Sequence, residues 1–375
     1  MVADCFRMVN GMAANTKPFS AIVSAALCAL LCASLVLLPQ PMTEDLLYLS
    51  AFACLPEGGL ARLRQSPQQT QPAAAPSQIA GETAQPHSLT GTPPDVLALM
   101  QQAQQQAASQ KKDGDIRAQT FGKKSSTESF RGLLIRNMTD DVKPDYDALW
   151  TADAALTIDK SKPAVLLFHT HTTEGYELLD RDWYAADTSS RTTDAGRNVV
   201  RVGTAIAEEL ESAGFQVIHD ETVHDTRYSG AYDRSRATVQ KYLDRYPELS
   251  VVLDVHRDAI QENNGVKIKP VAEVGGKKAA QIMIISGSEG GNVTDFPNWE
   301  QNLRFALRLQ DACEQSAAGL MRPLFFCHRQ YNMDMTPCSL LVEFGSEANT
   351  LEEAVYAGSL FGRALARLLE NYVTE

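Results

Sequence analysis

The chain has 375 residues, 44% of them hydrophobic, and carries 34 Lys and Arg against 46 Asp and Glu, a formal net charge of -12. This acidic balance, without a long basic stripe, argues against a nucleic-acid partner, because phosphate contacts need clustered Lys and Arg. Seven cysteines do not indicate a dense disulfide framework. We expect Cys313, Cys327 and Cys338 to be small buried hydrophobic residues, with a bridge among them as the alternative.

An uncharged run near the amino terminus predicts a membrane helix. Residues 19–38, FSAIVSAALCALLCASLVLL, match the thickness of the hydrocarbon core of a bilayer. Arg7 and Lys17 precede the run and acidic residues follow it, so the positive-inside rule places residues 1–18 in the cytoplasm and everything after the helix outside. A cleaved signal peptide is the alternative, but its apolar region would be shorter, so we favour an uncleaved anchor.

The composition changes twice after this run. Residues 39–125 are rich in Gln, Ala, Pro and Ser and are predicted to be a polar, low-complexity, disordered linker. Over residues 126–375, short apolar runs alternate with amphipathic helices, which is enough chain for one well-buried domain.

The pattern in residues 126–375 predicts an α/β fold. Six runs predict strands: PAVLLFH, FQVIH, LSVVLDVH, VKIKPVAEV, AAQIMIIS and SLLVEFG. Three predict helices: NVVRVGTAIAEELESAG, NWEQNLRFALRLQDACEQS and NTLEEAVYAGSLFGRALARLLENY. We expect a single domain with a mostly parallel sheet covered by helices on both faces. Residues 266–286, with Gly275 and Gly276 between their two strands, are expected to form a hairpin on that sheet.

Three of the predicted strands end in residues that bind metals or transfer protons. The first is followed by His169, His171 and Glu174, the second ends at His256 in DVHRD, and the third at Glu343 in VEFG. Because sites in open α/β sheets form beyond the carboxyl ends of the strands, we expect these residues to meet there.

The residue types at these strand ends favour metal-dependent hydrolysis. Two imidazoles and a carboxylate are ligands of a catalytic zinc ion that keeps one position open for water. We therefore expect His171, Glu174 and His256 to bind Zn²⁺ and Glu343 to be the general base, since zinc polarises a carbonyl and acidifies water.

Two choices among neighbouring residues remain at this stage. Alternation along an extended segment puts His169 and His171 on the same side, but only His171 has HxxE spacing, so we favour it as the ligand and expect His169 to line the site. Either Asp254 or Asp258 would accept the second ring N–H of His256 and fix its tautomer. The other histidines of the domain are expected to make ordinary hydrogen bonds.

Seven segments in order resemble the stage II sporulation protein P family of spore-forming bacteria, between about residues 131 and 369. They are LLFHTHTTEGY, TTDAGRNVVRVGTAIAEELESAGFQVIHDETVHD, YSGAYDRSRATVQKYL, VVLDVHRDAI, KKAAQIMIISG, NWEQNLRFALRLQ and LLVEFGSEANTLEEA.

The resemblance implies a membrane-anchored, zinc-dependent peptidoglycan hydrolase with a fold similar to the N-acetylmuramoyl-L-alanine amidases. Such a protein would cut the amide between muramic acid and L-alanine, and stem-peptide cross-links as an endopeptidase. It would act at the forespore septum during engulfment, with the stage II sporulation proteins D and M as partners. A wall-binding module that does not cut, or a scaffold of the engulfment complex, is the alternative function.

The resemblance also bears on single residues. It implies functional roles for the histidines of HTHTTE, for His256 and for Glu343. In the related amidases the second metal ligand is a Glu farther along the chain, so the assignment of Glu174 rests on its HxxE spacing.

Four further residues sit in matching motifs and are candidates for substrate contacts, because Arg forks suit carboxylates and the other side chains suit hydroxyls. Structural hydrogen bonding is the alternative for each. They are Arg257, Tyr176, Arg234 and Asn332.

Overall fold

The structure, a computed structural model, describes residues 91–152, 156–185 and 190–374, which belong to one compact unit. The predicted cytoplasmic segment and membrane helix lie outside these residues. Among the helices that are described, none is both long enough and apolar enough to span a bilayer.

The described residues contain twelve strands. They are β1 (Gly114–Gln119), β2 (Glu128–Phe130), β3 (Leu133–Asn137), β4 (Pro163–Phe168), β5 (Trp183–Tyr184), β6 (Gln216–His219), β7 (Val251–Asp258), β8 (Lys267–Val274), β9 (Lys277–Ala280), β10 (Ile282–Gly287), β11 (Leu324–Cys327) and β12 (Ser339–Ser346).

Eight of these strands form the main sheet, in the order β2-β3-β11-β10-β12-β7-β4-β6. Five of its seven strand pairs are parallel, and only β2–β3 and β10–β12 are antiparallel. In the central strands β4, β7 and β12 nearly every side chain is buried, as expected for strands covered on both faces. The prediction of a mostly parallel sheet is confirmed.

Six α-helices accompany the sheets in the described part of the chain. They are α1 (Pro94–Gln106), α2 (Tyr146–Thr151), α3 (Val199–Ser212), α4 (Ala231–Arg245), α5 (Trp299–Ser316) and α6 (Leu351–Glu370). The three helices predicted from sequence correspond to α3, α5 and α6. Their ends follow local chemistry: Asn198 caps α3, Thr350 and Glu353 form a capping box at α6, and Gly214, with φ 84°, follows the end of α3.

The two faces of the main sheet are covered differently. Helices α3, α5 and α6 contribute to the large apolar cluster on one face. On the other face α4 packs Val239 against Leu166, Phe168 and Val252. The remainder of that face is covered by a smaller apolar cluster that includes Phe296 and Met333, from the segments after β10 and β11. Coverage on both faces is therefore confirmed, but loops supply part of it.

A second, four-stranded sheet has the order β5-β1-β8-β9. Its strands β8 and β9 form an antiparallel hairpin through Gly275 and Gly276, whose φ angles are 58° and 77°. The predicted hairpin therefore exists, but it does not lie on the main sheet. At Gln281 the run AAQIMIIS passes from β9 in the small sheet to β10 in the main sheet.

The prediction of a disordered linker up to residue 125 is wrong for residues 91–125, while residues 39–90 lie outside the described part. Helix α1 buries Val96 completely, and β1 pairs in parallel with β8 and buries Ile116. The side-chain amide of Gln281 donates to the Phe121 carbonyl and accepts from its N–H. Polar composition did not reveal this order because the pairing uses backbone groups.

Candidate functional site

The site lies at the carboxyl ends of three adjacent strands. Strands β12, β7 and β4 are neighbours and run parallel, so their last residues meet at one edge of the sheet. Glu343 of β12 is the direct neighbour of His256 of β7 in the register. Just after β4 the chain turns, and Glu174 reaches back to His256, with 3.3 Å between Oε2 and Nδ1. The structure thus brings together the residues of all three predicted strand ends.

His256 lies between two carboxylates. Its Nε2 is 2.8 Å from Oδ1 of Asp254, an ionic contact that is not aligned as a hydrogen bond. Asp254 is itself held by Thr170, whose N–H and hydroxyl donate to its two oxygens at 2.8 and 2.6 Å. Burial opposes a charge on His256, but Asp254 and Glu174 outweigh it and raise the pKa of the imidazole well above its usual value.

Glu174 is buried and held by positive groups. Its Oε2 accepts the backbone N–H of Arg257 at 3.1 Å, and its Oε1 lies 3.3 Å from the Arg191 guanidinium. Burial would raise the pKa of this carboxyl, but the hydrogen bond with His256 and the charges of Arg257 and the histidines lower it overall. Glu174 is therefore ionised and fixed in direction.

His171 presents a ring nitrogen without a hydrogen bond. The ring is 7% exposed and stacks on Tyr228, with 4.7 Å between centroids, and its edge meets His256 at 5.4 Å. Nδ1 is buried and has no hydrogen-bond partner, and its nearest carboxylate, that of Asp225, is 4.0 Å away. Burial lowers the pKa of His171 to about 4, so this imidazole is neutral and can act as a ligand.

Glu343 also has a buried atom without a hydrogen bond, its Oε2. Burial, reinforced by the charge of Asp258 and opposed by that of His256, raises the pKa of this carboxyl to about 8. A divalent cation nearby would lower this pKa. A carboxyl with a raised pKa in a buried cleft is suited to accept and return a proton.

The residue types at the site are those that bind zinc, but in this structure their side chains are not arranged around a common metal position. Over the described residues, no group of three His, Cys, Asp or Glu side chains is arranged as a metal site, and His256 and Glu174 face each other at ion-pair distance. The unpartnered Nδ1 of His171 and the two-histidine, one-carboxylate composition are nevertheless those of a zinc site. A metal would replace the proton that His256 and Glu174 share.

His169 occupies a different environment from His171. Its Nδ1 lies 3.0 Å from the Val255 carbonyl and its Nε2 lies 2.9 Å from Nε2 of His219. The ring packs against α3 at Gly203, where a Cβ would come within 2.9 Å of it. Both nitrogens are therefore occupied, and the expectation that His169 lines the site has no support in these contacts.

The two aspartates proposed to orient His256 have different partners. Asp254 touches it, whereas Asp258 forms an ion pair with Arg322 at 2.9 Å. Asp254 is therefore the orienting carboxylate in this structure.

The four candidates for substrate contacts all make structural hydrogen bonds. Arg257 donates to three backbone carbonyls, Tyr176 to the Phe344 carbonyl, Arg234 to three carbonyls of the loop before α4, and Asn332 to the Tyr232 carbonyl and the Ser235 hydroxyl. These contacts favour the structural alternative for each.

Sequence reasoning missed four residues that surround His171 and Glu174. Arg191 joins Glu174 to Asp225, and Tyr228 and Tyr232 contact the His171 ring. The signal was available, because three of these four residues fall inside the segments VHD and YSGAYDRS that carry the family resemblance. Their side chains, without a strand-end pattern, gave no separate reason to single them out.

The three cysteines of the domain are free and buried, as expected. The histidines left out of the predicted site are also satisfied: His219 pairs with His169, His224 with the His169 carbonyl and Thr238, and His328 with Ser288 and Asp141.

Comparison with known proteins finds one curated relative and several solved structures. Stage II sporulation protein P of Bacillus subtilis (strain 168) is 28% identical over 204 residues, which are 51% of this chain and 47% of the relative. The chain therefore spans about half the length of the curated relative it matches.

The solved structures are similar at lower identity. The apo form of the N-acetylmuramyl-L-alanine amidase Ami1 from Mycobacterium abscessus is 15% identical, covers 56% of this chain and 98% of its own, and has a TM-score of 0.33. The CwlD amidase from Clostridioides difficile, in complex with the GerS lipoprotein, is 12% identical with coverages of 56% and 98% and a TM-score of 0.36.

The family model for stage II sporulation protein P matches residues 69–366. This range includes every residue of the site and begins inside the segment that composition predicted to be linker. The chain belongs to the stage II sporulation protein P family.

Proposed function

We propose that this chain is a zinc-dependent peptidoglycan hydrolase that cleaves the amide between N-acetylmuramic acid and L-alanine. The observation that carries the proposal is the convergence of two histidines and two glutamates at three parallel strand ends, with Glu343 beside His256 in the register. Membership of the stage II sporulation protein P family supports it.

His171, Glu174 and His256 would hold the zinc ion. When bound, zinc supplies positive charge that polarises the scissile carbonyl and makes water more acidic. Asp254 orients His256 through its contact with Nε2, and the Thr170 hydrogen bonds hold Asp254 in place. Arg191 and the Arg257 N–H fix the direction of the Glu174 carboxylate.

Glu343 would move the proton. Its unpartnered Oε2 is free of competing hydrogen bonds, so it can accept a proton from the attacking water and return it to the amine of L-alanine as the amide bond breaks. Burial keeps bulk water from competing for that proton.

The same site could act on stem-peptide cross-links, and we include this endopeptidase activity in the proposal. We also propose that an uncleaved helix over residues 19–38 anchors the chain in the cell membrane, with the catalytic domain outside. There it would act on septal peptidoglycan during engulfment together with the stage II sporulation proteins D and M. Support for these points comes from the apolar run and the family membership.

A non-catalytic wall-binding module is the second candidate. It is favoured by one observation: in the described part of the chain the side chains are not arranged as a metal site. A binding module, however, would have no use for a basic carboxyl whose Oε2 is buried and unpartnered.

Mass spectrometry of fragments released from purified peptidoglycan by the full-length chain, with zinc and with a chelator, separates these functions. Chelator-sensitive release of peptides with a free L-alanine amine is the expected result, and shortened cross-links would add the endopeptidase. Sedimentation with peptidoglycan but no release in the presence of zinc would replace the proposal with the binding module.

A further inference from the structure

Next to the site, three tyrosines form a surface that the chemistry above does not use. We propose that this tyrosine row, Tyr228, Tyr232 and Tyr331, is a saccharide subsite that holds a pyranose ring of the glycan beside the scissile amide. The inference rests on the proposed function, because it assigns the sugar part of the same substrate.

The three tyrosine rings are linked through the ring of His171, a proposed metal ligand. Tyr228 stacks on His171 at 4.7 Å with an interplanar angle of 5°. The His171 ring also meets the Tyr232 ring edge-on, with 5.6 Å between centroids. The Tyr232 ring in turn stacks on the Tyr331 ring, with 5.1 Å between centroids. A ligand that lies along the tyrosine row is therefore adjacent to His171.

Tyr228 is exposed where a tyrosine would ordinarily be covered. Its relative exposure is 48%, and within residues 91–152, 156–185 and 190–374 it is one of three exposed large hydrophobic residues, with Leu97 and Met138. The loop that carries it is nevertheless held firmly, because the Arg234 guanidinium donates to the carbonyls of Arg227 and Ser229 on either side of Tyr228. The exposed ring is thus a fixed platform.

Tyr331 is held in position at a conformational cost. Tyr331 and Asn332 are consecutive non-glycine residues with left-handed φ angles of 43° and 59°, which L-residues rarely adopt. The Asn332 amide secures this turn by donating to the Tyr232 carbonyl and the Ser235 hydroxyl. This backbone geometry is what places the Tyr331 ring against Tyr232, and strain of this kind concentrates at functional sites.

The chemistry of the row suits a sugar. The C–H faces of a pyranose are apolar and stack on aromatic rings, whose amphipathic edges leave hydroxyls in contact with polar groups. Such groups lie at the far end of the row, where Arg236 makes two hydrogen bonds to Asp334 and a longer one, of 3.4 Å, to Asn332. At the near end, the guanidinium of Arg191 lies 5.7 Å from the Tyr228 ring centre.

Tyr232 lies between two other rings, whereas Tyr228 stacks on His171 and is still 48% exposed. A saccharide subsite has a consequence for specificity: peptides linked to muramic acid should be better substrates than peptides without a sugar. The tyrosine row would then favour amidase over endopeptidase activity.

The test measures binding without hydrolysis. The peptide-free disaccharide of N-acetylglucosamine and N-acetylmuramic acid is titrated, by ligand-observed NMR, into full-length Glu343→Gln protein and the same protein with Tyr228→Ala, Tyr228→Phe or Tyr331→Ala. We expect the two alanine variants to weaken binding about 5- to 150-fold, by analogy with the stacking of bases on aromatic side chains, and Tyr228→Phe to bind as the parent does.

Met138→Ala is the matched control, since Met138 is 49% exposed and follows β3, outside the two segments that carry the three tyrosines, and it should bind as the parent does. No binding by the parent, or binding by Tyr228→Ala and Tyr331→Ala that is as tight as the parent's, would overturn the inference. If the wild-type chain hydrolyses peptidoglycan but the Glu343→Gln parent does not bind the disaccharide, the proposed function stands and the subsite is removed. If the parent binds the disaccharide but the wild-type chain does not hydrolyse peptidoglycan, the subsite stands and the proposed function is removed.

Discussion

Two groups of histidines lie at or near the carboxyl ends of β4, β6 and β7, and they differ in how their polar atoms are partnered. In the structural cluster, His169, His219 and His224, both ring nitrogens of His169 and of His224 and the Nε2 of His219 meet carbonyls, a hydroxyl or each other at 2.8 to 3.0 Å. In the site cluster, His171, Glu174, His256 and Glu343, three atoms are buried without a hydrogen bond: His171 Nδ1, His256 Nε2 and Glu343 Oε2.

This difference separates histidines that stabilise the fold from histidines with a ring nitrogen available to a ligand. Buried polar atoms in native proteins are nearly always hydrogen-bonded, because leaving one unpaired costs about 1–3 kcal/mol. Three such atoms in one cluster, beside carboxylates with perturbed pKa values, therefore indicate a place for a ligand. Residue type alone does not make this distinction, since both clusters contain more than one histidine.

The largest effect should follow from Glu343→Gln, which keeps the shape of the side chain and removes its basicity. We expect kcat/KM for the release of wall peptides to fall about 10²–10⁴-fold, with zinc content and the free energy of unfolding unchanged. Glu300→Gln, at an exposed acid in the first turn of α5, is the control. Wild-type activity in Glu343→Gln would show that the unpartnered carboxyl is not the base.

The two neighbouring histidines should respond in opposite ways. His171→Ala removes a proposed ligand and should weaken zinc binding by at least about 100-fold, more than the loss of an orienting residue does, with little change in stability. His169→Ala should leave zinc affinity nearly unchanged but destabilise the fold by about 1–3 kcal/mol, because His219 loses its buried partner. Calorimetric titration with zinc and denaturant unfolding measure the two effects. The reverse outcome would exchange the roles of His169 and His171.

Asp254→Asn should have a smaller effect than loss of a ligand. The amide keeps the volume of the side chain but loses the charge that orients His256, so zinc affinity and activity should fall about 10–100-fold. Asp258→Asn is the comparison, since Asp258 pairs with Arg322 instead. Equal losses of zinc affinity in the two variants would mean that Asp254 has no special role.

The smallest effect concerns pH and the structural cluster. Burial lowers the pKa of His219 to about 4, whereas an unfolded histidine titrates near 6.5. Because the unfolded chain then binds the proton more tightly, the contribution to stability is complete above pH 6.5 and is lost as the pH falls from 6.5 toward 4.

We expect His219→Gln to reduce the loss of unfolding free energy between pH 7 and pH 5 by on the order of 1–2 kcal/mol. Urea unfolding of the wild type and the variant at the two pH values measures this difference. An identical pH dependence in both proteins would show that His219 is not buried as a neutral ring.

Much of the main sheet and of the site cluster could be predicted because each depends on a short local pattern. The apolar runs of β4, β7 and β12 identify buried strands, and their adjacent carboxyl ends bring His171, His256 and Glu343 together. The tyrosine row could not be found this way, since it depends on how a loop and a strained turn fold over the strand ends.

The same limit explains the error in residues 91–125. Strand β1, GDIRAQ, contains one buried apolar side chain, Ile116, so its order comes from hydrogen bonds to β8 that no local pattern reveals. The different environments of His169 and His171 could not be predicted either. Alternation of side chains between two faces applies to an extended strand, and β4 ends at Phe168.

The pairing of β1 with β8 also sets an order of events in folding. Ile116 and Lys267 are partners in the register, although the chain between them includes β4, α3, α4 and β7. During synthesis β1 emerges first and must wait for β8, because closing so long a loop is entropically unfavourable until the intervening elements are compact. The first strand of the domain is therefore expected to be among the last to pair, and it would report, by amide protection, when the domain is complete.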